Sequence, residues 1–288
     1  MKAVQYLLAH QLPNGAFAIP EFGLENYNTA VAVMALHTIG NSGNAGALAK
    51  AKAYLLSVHN TEQTGVKEEE NKQLYGSFGY GDARRGDLSN TAFSLEALKE
   101  LGLEKDSPAW KNAVKFIKRC QDNKETNDLP DLIGGWDSGG FVYAPGDFPT
   151  GAAKAHGRPK PYGNMTYEAV KSLLYAGLNK DDPALQAAFK WIKNNYSVKE
   201  HPGANGTEGY FYYVHAMAKA LTVAEIKELE LADGRKANWA RDLAAHLASI
   251  QKADGSFVNE DGRWMEANSI ISTAYALEAL NLCVAALE

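Results

Sequence analysis

The chain has 288 residues, 45% of them apolar and 22% charged, with a formal net charge of −5. This is an ordinary globular composition. It lacks the basic footprint of a nucleic-acid binder, and no apolar run in the sequence reads as a membrane span. Cys120 and Cys283 lie in no C-x-x-C or Cys/His cluster, so they read as reduced core thiols. No metal and no cofactor are expected.

The chain opens with "MKAVQYLLAHQ", which is amphipathic and begins inside a helix with no cap before it. A removed leader, and with it export, is one expectation; the compartment stays open. Residues 6–17, "YLLAHQLPNGAF", then introduce a template that recurs along the chain: Leu, three residues, Gln, three residues, Gly, one residue, aromatic. Its first copy is Leu7, Gln11, Gly15 and Phe17. A second starts at Leu55, with His59 where Gln would sit and the "GSF" delayed to 76–78. A third starts at Ile117 and Gln121, with its glycine and aromatic expected at Gly134, Gly135 and Trp136. Another begins with "KWIKNN" and ends with "GYF" at 209–211. The last, at 246–257, is complete: Leu247, Gln251, Gly255 and Phe257.

After each copy comes a smoother, more apolar helical run: "NTAVAVMALHTIG", "NTAFSLEALKELG", "MTYEAVKSLLYAG", "YVHAMAKAL" and "STAYALEALNLC". The first, second, third and fifth align on Thr29, Thr91, Thr166 and Thr273, with Val214 in that place in the fourth. The first helix of each pair is polar on one face and reads as half exposed; the second reads as buried. Gly closes the apolar helices, and Ser-Pro or Asp-Pro opens the ones that follow. Repeats of this kind predict an all-α fold over a single domain, residues 1–288, built from about five helical hairpins. The buried second helices favour a closed double ring, an α/α toroid, over an open helical stack.

The Gln-Gly-aromatic template resembles the QW motif of squalene-hopene and related triterpene cyclases. "YGNMTYEAVKSLLYAGLNKDDP", "GYFYYVHAMAKAL" and "DGRWMEANSIISTAYALEAL" resemble bacterial prenyltransferase/squalene-oxidase-repeat proteins. The resemblance implies the toroid fold and the terpenoid cyclase/protein prenyltransferase superfamily. The cyclases' proton-donating motif is D-x-D-D-T-A. "DLSNTA" matches it at Asp87, Thr91 and Ala92 but carries Ser89 and Asn90 at the two central acids, and "ENYNTA" places Glu25, Tyr27 and Asn28. Ser and Asn cannot protonate an alkene, so squalene cyclisation is not expected. The D-x-C zinc site of the prenyltransferase branch is also missing, since Lys118 and Asn281 stand two residues before the cysteines.

The starts of the second helices concentrate polar and aromatic residues, and from this register a site is expected. Asp87, His215 and Tyr213 are its candidate catalytic groups. Glu25, Tyr27, Arg84, Trp136, Tyr162, Tyr212, Arg263 and Trp264 are its candidate ligand contacts. The segment 134–163, rich in Gly, Pro and aromatics, reads as a lid or cavity wall. The plain alternatives are a helix cap for Asp87, packing for the tyrosines and a core histidine for His215. Three functions follow: binding of a hydrophobic or isoprenoid ligand in a central cavity, action on an oligosaccharide in the manner of a lyase, or a non-catalytic interaction module. Peripheral membrane contact and oligomeric state are left open.

Overall fold

The computed structural model describes residues 2–40, 42–81, 85–146, 154–155 and 157–288. The chain is all-α, 54% helix. Its helices follow one another in the order that the repeat predicts: α1 (Lys2–Ala9), α2 (Glu25–Ile39), α3 (Ala45–Ser57), α4 (Leu88–Glu100), α5 (Pro108–Arg119), α6 (Gly163–Tyr175), α7 (Pro183–Asn195), α8 (Tyr210–Val223), α9 (Trp239–Ile250) and α10 (Ser269–Leu287). Strand is confined, among the described residues, to two antiparallel pairings of two-residue strands, Lys154–Ala155 with Arg158–Pro159 and Leu229–Glu230 with Lys236–Ala237. The Ser-Pro and Asp-Pro starts form the expected caps: Ser107 accepts from Ala109 N–H at 3.3 Å, and Asp182 from Ala184 N–H at 2.9 Å.

Two compact units are present, Met1–Cys120 with Tyr175–Leu178, and Gln121–Leu174 with Asn179–Glu288. In the first, α2 packs on α4, and buried Asn26 ties them by donating to Gly79 O (2.8 Å) and Ser94 Oγ (2.9 Å). In the second, α10 packs on both α8 and α9.

The recurring residues each have one structural task. The Gln side chain donates to the carbonyl of its own glycine and to a carbonyl in the first turn of a following helix, α3 or α7. Gln11 reaches Gly15 O (3.1 Å) and Ala47 O (2.8 Å); Gln121 reaches Gly139 O (2.9 Å) and Ala184 O (2.7 Å). His59 takes over part of this role, with Nε2 donating to Gly76 O at 3.1 Å and its ring stacked on Phe78. The glycine lets a following helix, α3, α5 or α7, approach: a methyl added at Gly15, Gly76 or Gly139 would overlap the backbone carbonyl of Lys50, Asn112 or Ala187. The Thr hydroxyl accepts the aromatic residue's N–H, from Phe17 to Thr29 (2.8 Å), Phe78 to Thr91 (3.0 Å), Phe141 to Thr166 (3.1 Å) and Phe257 to Thr273 (3.0 Å). Where Val214 replaces Thr, the N–H groups of Phe211 and Tyr212 go to the buried carboxylate of Glu266, at 3.2 and 2.9 Å.

Two expectations are corrected. The third copy of the template closes on Gly139 and Phe141, not on Gly134, Gly135 and Trp136. Gln121 bonds Gly139 and bridges to Phe141, and nothing approaches Gly135. The second helices are also not uniformly buried. α4, α6 and α8 are mostly enclosed, but α10 buries only Ser272, Ala276, Ala279 and Cys283. By length and composition alone α10, with a mean hydropathy of 1.7, meets the requirements of a membrane-crossing helix, which a single apolar helix does not establish; no clear transmembrane segment is present among the described residues.

Candidate functional site

The segment after α5 folds back along α7 and, with it, forms a shallow pocket of about 280 Å³. Trp136, Ser138, Lys160, Pro161, Trp191, Asn195 and Gly203 line it. Its position follows from the late third copy of the template. Gln121 and Asp122 anchor the returning chain: Asp122 accepts from the N–H groups of Asp137 (3.2 Å) and Ser138 (3.0 Å) and from Ser138 Oγ (2.7 Å). The residues inserted before Gly139 are thereby held at the surface, and Trp136 stands 44% exposed. Trp191, on the buried side of α7, is 6% exposed and passes close to Gly140, where any side chain would strike the indole. Asn195 Nδ2 is held by Trp191 O at 2.8 Å. Lys160 is the one titratable side chain among the described lining residues. The segment 134–163 thus supplies a wall of this pocket; residues 147–153 and 156 of it lie outside the described residues.

Of the other candidate residues, Arg84 lies outside the described residues. Asp87 is fully buried and caps α4, accepting from Asn90 N–H (2.7 Å) and Asn90 Nδ2 (2.8 Å). Glu25 accepts from Tyr54 OH at 3.2 Å, and Tyr27 meets Phe93 edge-on at 4.9 Å.

In the second unit, Tyr162 and Tyr213 join a buried aromatic cluster around His201. Their rings lie 5.6 and 4.8 Å from the imidazole, and Tyr167 is 5.9 Å from Tyr213. Tyr213 donates to Ser197 O at 2.6 Å, and burial drives its phenol pKa well up. His201 accepts Asn164 N–H through Nε2 (3.1 Å) and donates through Nδ1 to Glu208 O (2.6 Å). Burial lowers its pKa to about 4, so it is a neutral cap for α6.

His215 and Tyr212 fall in a different group, both against Tyr275, at 5.4 and 5.7 Å. His215 Nε2 is 2.9 Å from exposed Glu278 Oε2, and its buried Nδ1 has no partner among the described residues. Arg263 pairs with Glu208 at 2.8 Å and lies 4.7 Å above the indole of Trp264. Trp264 itself holds a left-handed backbone, φ 53°.

Sequence reasoning missed Glu168 and Lys171 on α6, a wholly buried ion pair at 2.7 Å. Glu168 Oε1, and near it in sequence Asn164 Oδ1 and Ser172 Oγ, have no hydrogen-bond partner among the described residues. The signal was present as an acid and a base three residues apart on an otherwise apolar helix.

No family model matches the chain, and no curated protein is similar to it. Among solved structures, a crystal structure of a protein from Actinoplanes is similar over 98% of this chain and 73% of its own, at 16% identity and a TM-score of 0.61; at that identity the likeness speaks for the fold alone.

Proposed function

We propose that the protein binds an oligosaccharide, with one sugar ring laid on the exposed indole of Trp136. The carrying observation is the pocket's composition. The exposed indole of Trp136 gives an apolar face for the C–H face of a ring, Trp191 lines the pocket from its buried side, and Ser138, Asn195 and Lys160 add groups that bond hydroxyls. Ser138 gives its hydrogen to Asp122 and keeps acceptor capacity. Lys160 adds a positive charge, which favours a sugar carrying a carboxylate. No acid–base pair lines the pocket among the described residues, so this reading is one of binding, without the lyase chemistry that would need a proton acceptor.

A second reading, an isoprenoid ligand bound in the manner of the triterpene cyclases, is supported by the repeat template and by the same two indoles. The closed double ring belongs to that reading. Titration of the intrinsic tryptophan fluorescence separates them. Neutral and uronic-acid oligosaccharides should perturb the emission, the acidic ones at lower concentration, and Trp136→Ala should remove the response. A response to farnesol or geranylgeraniol alone, with none to any oligosaccharide, favours the second reading and sinks the first.

A further inference from the structure

At about 280 Å³ the pocket beside Trp136 is small for a whole oligosaccharide. One ring fills it, and the next sugar lies on the surface outside. The wall that carries Lys160 sets where that sugar goes. Its sequence is Arg158-Pro159-Lys160-Pro161. A residue before proline is pushed out of the helical region into extended backbone, and both Arg158 and Lys160 precede a proline. Side chains alternate along an extended segment, and burial follows the alternation: Arg158 and Lys160 are exposed, and Pro159 between them is buried. The two cations therefore leave the same side of the segment, with their backbone positions about 6.6 Å apart.

The segment is fixed in place. Pro161 lies between Gly140 and Gly203: a methyl added at Gly140 would strike its ring, and one added at Gly203 its carbonyl. Tyr162 N–H donates to Phe141 O at 3.2 Å, and Arg158–Pro159 pairs with Lys154–Ala155. Such a backbone loses little freedom when a ligand arrives. Neither the Arg158 nor the Lys160 side chain has an ion pair or hydrogen bond among the described residues, whereas Arg119, Arg235 and Arg263 each pair with a carboxylate. Asp137, next to Trp136 in the chain, uses Oδ1 to accept Lys124 N–H at 2.9 Å.

We propose, resting on the oligosaccharide reading of this pocket, that its ligand carries an anionic group on at least two adjacent sugars. The sugar on Trp136 meets Lys160 with its acid, and the next one meets Arg158. A guanidinium offers a planar fork of donors that fits a carboxylate or a sulfate edge, so a chain of uronic acids and a sulfated chain share the chemistry. A path past α7 would meet the exposed Lys190 instead. Lys190 immediately precedes the inward-facing Trp191, and neighbouring residues on a helix do not share a face. Arg158 does share one with Lys160.

Isothermal titration calorimetry on the full chain tests this with trigalacturonate, the same trimer methyl-esterified on two of its sugars, and the fully esterified, neutral trimer. Trigalacturonate should bind about fivefold tighter than the singly acidic trimer, the scale of one exposed ion pair. Arg158→Ala should abolish that advantage and leave the other two ligands unchanged, and Arg158→Lys should keep most of it. Lys160→Ala should weaken both acidic ligands and spare the neutral one. Arg158 is exposed, and an unchanged melting curve checks that its variants fold. A galactose trimer with one sulfate on each sugar, run alongside, identifies the acid: an advantage confined to it, and lost in Arg158→Ala, upholds the two-cation wall with sulfate as the anion. The proposal is overturned if neither multiply charged trimer binds tighter than the singly acidic one, if the advantage survives Arg158→Ala, or if Lys190→Ala removes it instead. In those cases binding of the neutral trimer leaves the oligosaccharide reading standing. No binding of any trimer overturns both.

Discussion

Thr91 accepts the N–H of Phe78 at 3.0 Å and donates to Asp87 O at 2.6 Å, in full burial. Val has nearly the same shape and neither bond, so Thr91→Val leaves a buried N–H unsatisfied and should cost about 1–3 kcal/mol in urea unfolding. His59 gives a pH prediction of known sign. Burial lowers its pKa from 6.5 to about 4, against the raising effect of its bond to Gly76 O. The unfolded chain therefore binds the proton more readily between those two values. Stability is complete above pH 6.5, falls as pH drops towards 4 and levels off below, with a contribution from this group on the order of 3 kcal/mol. His59→Gln restores the residue that the template uses elsewhere. It should shrink the acid-side loss while preserving stability at pH 7; an unchanged pH profile would assign the loss to other groups, His201 first. These single-residue roles were largely legible. Gln11, Gln121, Gln251 and the four threonines announced themselves by recurrence, and Asp87 by its place before a helix. Gly139 did not, because the insertion around Trp136 brings two other glycines first and sequence spacing cannot say which one meets a helix backbone.

Helix α6 shows what recurrence hides. Its apolar pattern predicted burial correctly, but the pattern treats Glu168 and Lys171 as interruptions, and only the fold shows that both are sealed off as a pair. Desolvating two charges is costly, and their attraction offsets it only while both are present. Lys171→Met leaves Glu168 buried without that partner and should cost about 3–5 kcal/mol, measured by chemical denaturation. Glu168→Leu/Lys171→Met removes the charge altogether and should recover most of the loss. A double variant as unstable as the single one would mean that the pair organises α6 through neighbours such as Asn164 and Ser172. Helix α10 failed the other way. Being apolar all round, it read as buried, yet periodicity records what a helix is able to cover and not whether a neighbour is there to be covered.

Along the chain one set of contacts is used repeatedly: Gln and Gly admit a following helix, and Thr holds the turn that carries the aromatic residue. Helix content was readable because that set recurs at the sequence level. The pocket beside Trp136 was readable only as a candidate residue, since Lys160, Trp191 and Asn195 come from distant segments joined by the fold. The most direct test of the account compares Gly15→Ala, Gly139→Ala and Gly255→Ala by chemical denaturation at concentrations where the chain is dilute. All three glycines have positive φ, 95°, 85° and 84°, so each substitution carries a backbone cost of about 1–2 kcal/mol. At Gly15 and Gly139 the methyl also drives into a helix carbonyl, and the total should exceed about 3 kcal/mol; at Gly255 the backbone cost should be the whole effect. Equal losses at all three positions would contradict the account, because they would mean that a methyl at Gly255 is as crowded as one at Gly15 or Gly139.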